Sequence, residues 1–344
     1  MFRIVAPLLI AGPALCAHGN GGALPLPTHL FERSRLAMGS ELHLTAWTTD
    51  DAAAQSAFDD AFREFDRLDL LMSVWKPNSD VMKINGAAGD HAVAVDKDVR
   101  EILHIANQIS VWTSGAFDVT FGALNDVWKF DQDQDNSIPS ADAIRARLAF
   151  VDYRAIKIDD VRGAVFLKRK GMRINLGGIG KGYAVDHAVE ILRRHGLRDF
   201  MIQAGGDMYV AGRRGDRPWK LGIADPRGTH DPFATVELTN STFSTSGDYE
   251  RAFVKDGRRY HHIIDLHTGE PARASRSVTL VTDRAVVADA LAKGVFILGP
   301  AAGMALLERV PGVAGVMVSA NNDVLVSTRL KDRFVLIHPP TDAP

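Results

Sequence analysis

The residues of this chain most suited to chemistry lie in Asn175-Leu-Gly-Gly-Ile-Gly-Lys-Gly-Tyr-Ala-Val-Asp186, a Gly-rich turn read between a strand and a helix, with Lys181 inside it. Glycines let the backbone approach oxygen atoms closely, a helix start presents free N–H groups, and Lys181 adds positive charge, so the turn suits phosphate. It lacks the GK[ST] ending of a Walker loop, and such a turn also serves as plain chain reversal. His261 and His262 are neighbours in a strand-like run, so their side chains face opposite ways and at most one reaches a common cleft. Asp289 and Lys293 stand i, i+4 on one helix face, the spacing of an ordinary helix ion pair.

Several elements must position these groups. Apolar spacing predicts helices over 50–71, 97–114, 181–195 and 285–298, with Thr49 or Asp50 as a first cap and Gly115 and Gly196 as stops. Short β-like runs cover 165–167, 200–203, 278–281 and 313–318. Asp256-Gly257 between two such runs is a strong hairpin signal. Hairpins imply antiparallel pairing, and the irregular interruption by long helices predicts an α+β fold. The turn also lacks the spacing and βαβ context of the dinucleotide fingerprint, which argues against a nicotinamide-dependent oxidoreductase. The residues after Val335, with Pro339-Pro340, read as a frayed end.

With 344 residues, 46% of them hydrophobic, the chain can build one large core or two joined ones. A net charge of -2 without like-charge runs gives no footprint for nucleic acid. Arg3 followed by an apolar stretch reads as a signal peptide over 1–17, too short to span a bilayer, so the expected product is exported and is not an integral membrane protein. Cys16 is the single cysteine. Leu15 before it is bulkier than a lipobox tolerates, so cleavage near Ala17 is expected rather than lipidation, leaving no thiol for disulfides, catalysis or metal.

Read in order, the motifs resemble the ApbE family of FAD:protein FMN transferases. They are Met38-Gly39-Ser40, Ser73-Val-Trp-Lys-Pro-Asn-Ser79 with Asn85, Gly115-Ala-Phe-Asp-Val-Thr120 and the Gly-rich turn. Gly205-Gly206-Asp207, Ser244-Thr-Ser-Gly-Asp-Tyr249, His262-Ile-Ile-Asp-Leu-His-Thr-Gly269 and Ala288-Asp-Ala-Leu-Ala292 follow. The resemblance implies T-fold-related antiparallel sheets packed with helices over 30–338, as one large or two intimately joined subdomains. It implies a periplasmic enzyme that binds FAD with magnesium at the diphosphate. FMN would pass to a Thr or Ser hydroxyl of a redox-protein partner, with release of AMP.

On that resemblance His262 is the general base, since neutral imidazole accepts a proton near neutral pH, and Asp265 orients it; a plain strand histidine is the alternative. Trp75 either stacks on flavin or adenine or is a core residue. Asn85 and Asp118 hold the loops of the flavin pocket, or are turn or capping residues. Asp186 either contacts the nucleotide or is a solvated charge. Met38, Gly178, Lys181, Gly206, Asp207, Ser246, Gly247, Thr268 and Lys293 complete the expected FAD contacts. Asp289 and the Gly178 carbonyl are the expected magnesium ligands, but family members usually carry threonine where this chain has Lys293, and often alanine where it has Gly178 and Gly180. Lys293 is then either an ion-pair partner or a fixed charge partly replacing magnesium. The other functions to weigh are an FAD-binding protein without transfer and an FAD pyrophosphatase yielding FMN and AMP.

Overall fold

The computed structural model describes residues 28–228 and 231–343; the expected signal peptide and Cys16 lie outside them. Strands with apolar residues on both sides build the main sheet. In Phe200–Ala204, Phe200, Ile202 and Ala204 face one way and Met201 the other; in Asp207–Ala211, Tyr209 and Ala211 oppose Met208 and Val210. Such a sheet must be covered on both faces. It has eight strands in the order His29–Ala37, Ser40–Thr48, Phe200–Ala204, Asp207–Ala211, Ser241–Gly247, Ser275–Val281, Ala314–Ser319 and Val324–Val326. Every neighbouring pair is antiparallel.

Helices α1 (Asp51–Met72), α2 (Asp80–Gly86), α3 (Lys97–Trp112), α4 (Ala141–Leu148), α5 (Gly180–Arg194) and α6 (Ala285–Arg309) accompany the sheet. Phe58, Phe65, Tyr183 and Phe296 from α1, α5 and α6 join its first face in the largest apolar cluster. The second face is closed by a three-stranded sheet of Phe334–Leu336, Pro232–Leu238 and Trp219–Ala224, which buries Trp219, Phe233 and Val236 against it. The architecture is therefore α+β, as the hairpin signals predict.

The four expected helices form near their expected bounds. Asp50 caps α1, its carboxylate accepting from the Ala53 N–H at 2.9 Å, and Gly196 follows α5 at φ 83°. α6 bends at Gly299 (φ 73°) before Pro300, which explains why a helix ending at 298 was legible while a second segment runs on to Arg309. α6 is long and apolar enough to cross a bilayer. However, 56% of its most apolar window is buried, and it packs on α3, α5 and the main sheet as a core helix does.

The strand expected before the Gly-rich turn forms as Ala164–Leu167, but residues 173–176, which lead into the turn, are irregular and are held by Asn85, whose amide donates to Ile174 O at 2.9 Å and accepts from Ile174 N at 2.7 Å. One expectation needs correction: the C-terminal tail is not frayed. Phe334–Leu336 pairs in a sheet, Thr341 donates twice to the Asp225 carboxylate at 2.9 and 2.7 Å, and Asn322 donates to Pro340 O at 2.7 Å.

Candidate functional site

A cavity of about 760 Å³ is lined by the Gly-rich turn, the Met38-Gly39 turn, the loop bearing Trp75, the Phe117-Asp118 segment, the base of the Ala252–Lys255/Arg258–His261 hairpin and the inner side of α6. Local sequence explains each wall. Met38 (φ 48°) and Gly39 (φ 71°) join two paired strands through a left-handed turn. Asp256 (φ 52°) and Gly257 (φ 72°) do the same for the hairpin. Rings of Trp128, Phe130, Phe253 and Tyr260 pack at centroid distances of 5.3 to 6.1 Å in a separate cluster, which fixes the hairpin beside the cavity.

Met38, Trp75, Asp118, Gly178, Lys181, His262 and Lys293 all line this cavity. Trp75 is 46% exposed, so it is a wall residue rather than core. Asp118 combines both roles left open for it: it lies on the wall, and its carboxylate accepts from Thr120 N at 2.8 Å, Thr120 Oγ1 at 2.6 Å and Tyr153 N at 2.8 Å. Burial pushes its pKa up. Of the two histidines, His262 reaches the cavity, while His261 turns inward, bonds Ala272 O through Nε2 at 2.8 Å and packs edge-on to Phe296.

His262 has a buried Nδ1 with no hydrogen-bond partner. Burial, then the positive charge of Arg251 and Lys293, holds its pKa well below the ordinary 6.5, so the imidazole is neutral at neutral pH. Asp265 does not orient it. That carboxylate accepts from His267 N at 2.9 Å, and Thr268 donates to Asp265 O at 3.3 Å, so both belong to the turn beyond the hairpin and neither lies on the cavity wall.

Behind the wall, two ion pairs lie next to each other. Lys181 pairs with Asp207, which also accepts from Ser244 Oγ. Lys293 pairs with Asp289 and donates to that residue's own carbonyl at 2.9 Å. Asp207 is pushed up by burial, but the Lys181 and Lys293 charges outweigh this and hold it below its ordinary range. Asp289 is pushed up, first by burial and then by Asp207. Burial opposes the charge on Lys181, yet Asp207 and Asp289 keep its pKa raised.

Asp186 has neither of its expected roles. Its carboxylate accepts from Ala285 N at 2.6 Å and Val286 N at 3.1 Å, capping α6, which has no cap of its own. Asp289 Oδ2 in turn accepts from Gly182 N at 2.9 Å and caps α5, likewise uncapped by its own residues. The two helix starts thus cap each other. Gly206 and Gly247 lie off the wall at close approaches: an added Cβ would come within 2.7 Å of Thr245 O and 2.4 Å of the Tyr249 ring. Ser246, buried beside them, also lies off the wall. Sequence reasoning missed Arg251 and Phe117 as wall residues; Arg251, paired with Asp131, directly precedes the hairpin, but no spacing rule singles it out.

The donor set does not fit a magnesium ion at Asp289. Both of its oxygens are engaged, one by an ammonium and one by a backbone N–H. Among the described residues no group of three His, Cys, Asp or Glu side chains could hold a metal.

Residues 38–317 match the ApbE family. The chain is 31% identical over 307 residues to an FAD:protein FMN transferase of Klebsiella pneumoniae, covering 89% of this chain and 94% of that one. It is 31% identical over 336 residues to one of Treponema pallidum, covering 93% and 92%. A crystal structure of the ApbE protein of Thermotoga maritima superposes with a TM-score of 0.82 at 31% identity, covering 89% of this chain and 99% of the other.

Proposed function

The chain belongs to the ApbE family, and on that premise we propose that it is an FAD:protein FMN transferase acting on a hydroxyl of a partner protein. The observation that carries this reading is the cavity wall on which Lys181, Lys293 and a neutral His262 converge beside a Gly-rich helix start. FAD is the substrate. Its diphosphate is placed at the turn, where the lysines offset its charge, and Trp75 offers a ring for stacking on flavin or adenine.

In the transfer, the acceptor oxygen bonds to the phosphorus of the FMN half as the bond from that phosphorus to the bridging oxygen breaks. AMP leaves carrying the bridging oxygen, and His262 takes the acceptor's proton. The acceptor is proposed to be a redox protein with a flavinylation-type Thr or Ser, met outside the cytoplasm after export by residues 1–17. The transferase domain is proposed to span 30–338.

Purified protein incubated with FAD and an acceptor-domain peptide bearing such a threonine should yield AMP and covalently flavin-labelled peptide together. AMP and FMN without labelled peptide would make the chain an FAD pyrophosphatase. Stoichiometric FAD binding without AMP would make it a flavin-binding protein.

A further inference from the structure

Gly178 and Lys293, where the family resemblance implies that alanine and threonine are often found, meet in space although they are far apart in sequence. The stem of Lys293 lies over Gly178: a Cβ built on Gly178 would stand 3.2 Å from Lys293 Cδ and 3.5 Å from Cε, tighter than side chains ordinarily pack at the first of these. An alanine at 178 would crowd the lysine, and glycine leaves room for it. The ammonium at the end of that stem sits on Asp289, whose side chain is fully buried. Lys293 itself lies on the cavity wall, as does Lys181 from the turn. The three positions that the family resemblance assigns to a metal and its ligands are thus filled by one compensated unit: a glycine without a side chain, a carboxylate with both oxygens in use, and a fixed cation.

We propose that the Lys293 ammonium takes the place of a divalent cation beside the bound diphosphate, with Gly178 as the change that admits its stem, so that this enzyme works without magnesium. This rests on the transferase reading for what occupies the cavity. Physically, a permanent monovalent charge tethered to α6 supplies part of what a bound ion supplies, neutralising phosphate oxygens as charge shifts to the leaving group. It also repels a divalent ion from the same place.

The test measures FAD affinity and FMN transfer by the wild-type protein in EDTA and in excess magnesium, with no other divalent ion. Both should be unchanged between the two conditions. Loss of transfer or of FAD binding in EDTA, restored by magnesium, overturns the inference and leaves the transferase reading intact. Metal-indifferent FAD binding with no transfer under either condition does the reverse. Lys293→Thr should lose about 10²-fold or more of its rate in EDTA and recover with magnesium, most fully when combined with Gly178→Ala. Gly178→Ala alone should weaken FAD binding more than it does in the Lys293→Thr background. A Lys293→Thr protein as fast as wild type in EDTA also overturns the inference; should that variant not fold, the wild-type comparison decides.

Discussion

At the scale of single residues, burial decides what the polar groups can do. His262 can serve as a base because burial and the nearby Arg251 and Lys293 charges depress its pKa. A base must be unprotonated, so activity is lost as pH falls through that depressed value, and the acid limb of kcat/KM should lie well below 6.5; a limb at or above 6.5 would contradict the assignment. Replacing His262 by alanine should lower kcat by about 10²- to 10⁴-fold while FAD binding, followed by flavin fluorescence, persists. Asp265 and Thr268 stand in the same sequence motif as His262, yet turn geometry takes them out of the cavity. A motif read as a string cannot separate a residue that faces the substrate from one that holds the loop.

At the scale of elements, the crossing of α5 and α6 is the device that places the site. Each helix start is capped by a carboxylate from the other, Asp289 for α5 and Asp186 for α6. The crossing is close enough that a Cβ on Gly182 would lie 2.3 Å from Ala285 O. That contact is with backbone, which cannot rotate away. Gly182→Ala should therefore destabilise the protein by about 1–3 kcal/mol, read as a lower urea midpoint, and should also shift Lys181 and Lys293 relative to each other. An unchanged midpoint would mean the crossing can open at little cost. Asp186 has its pKa raised to about 6, chiefly by burial. Its ionised form is thus the less favourable one, and its contribution to stability declines as pH rises from the ordinary aspartate range through 6. In the sequence Gly182 looked like one more glycine of a phosphate turn and Asp186 like a nucleotide contact or a surface charge.

At the scale of the whole molecule, the C-terminal segment closes the second face of the main sheet. Deleting residues 339–344 removes the Thr341 bonds to Asp225, the Pro340 acceptor for Asn322 and the longer, exposed Arg276 contacts with Thr341 O and Asp342 at 3.3 Å, while the backbone bonds of Ile337 and His338 to Phe233 O stay. At about 1 kcal/mol for each hydrogen bond, the truncated protein should lose about 2–3 kcal/mol in a denaturant titration, with transfer activity kept at low denaturant; a truncation that costs nothing would show the tail to be dispensable. The sequence by itself determined the helices with regular apolar spacing, the Asp256-Gly257 hairpin, the α+β class and the ordered motifs of the family. Those signals are local, or are shared along the chain with relatives. Only the tertiary structure decided that Asp186 and Asp289 cap opposite helices, that Lys293 rests on Gly178, and that the Nδ1 of His262 is buried without a hydrogen-bond partner. Each of these depends on a close approach between segments distant in the chain, and no periodicity or spacing within one segment encodes that.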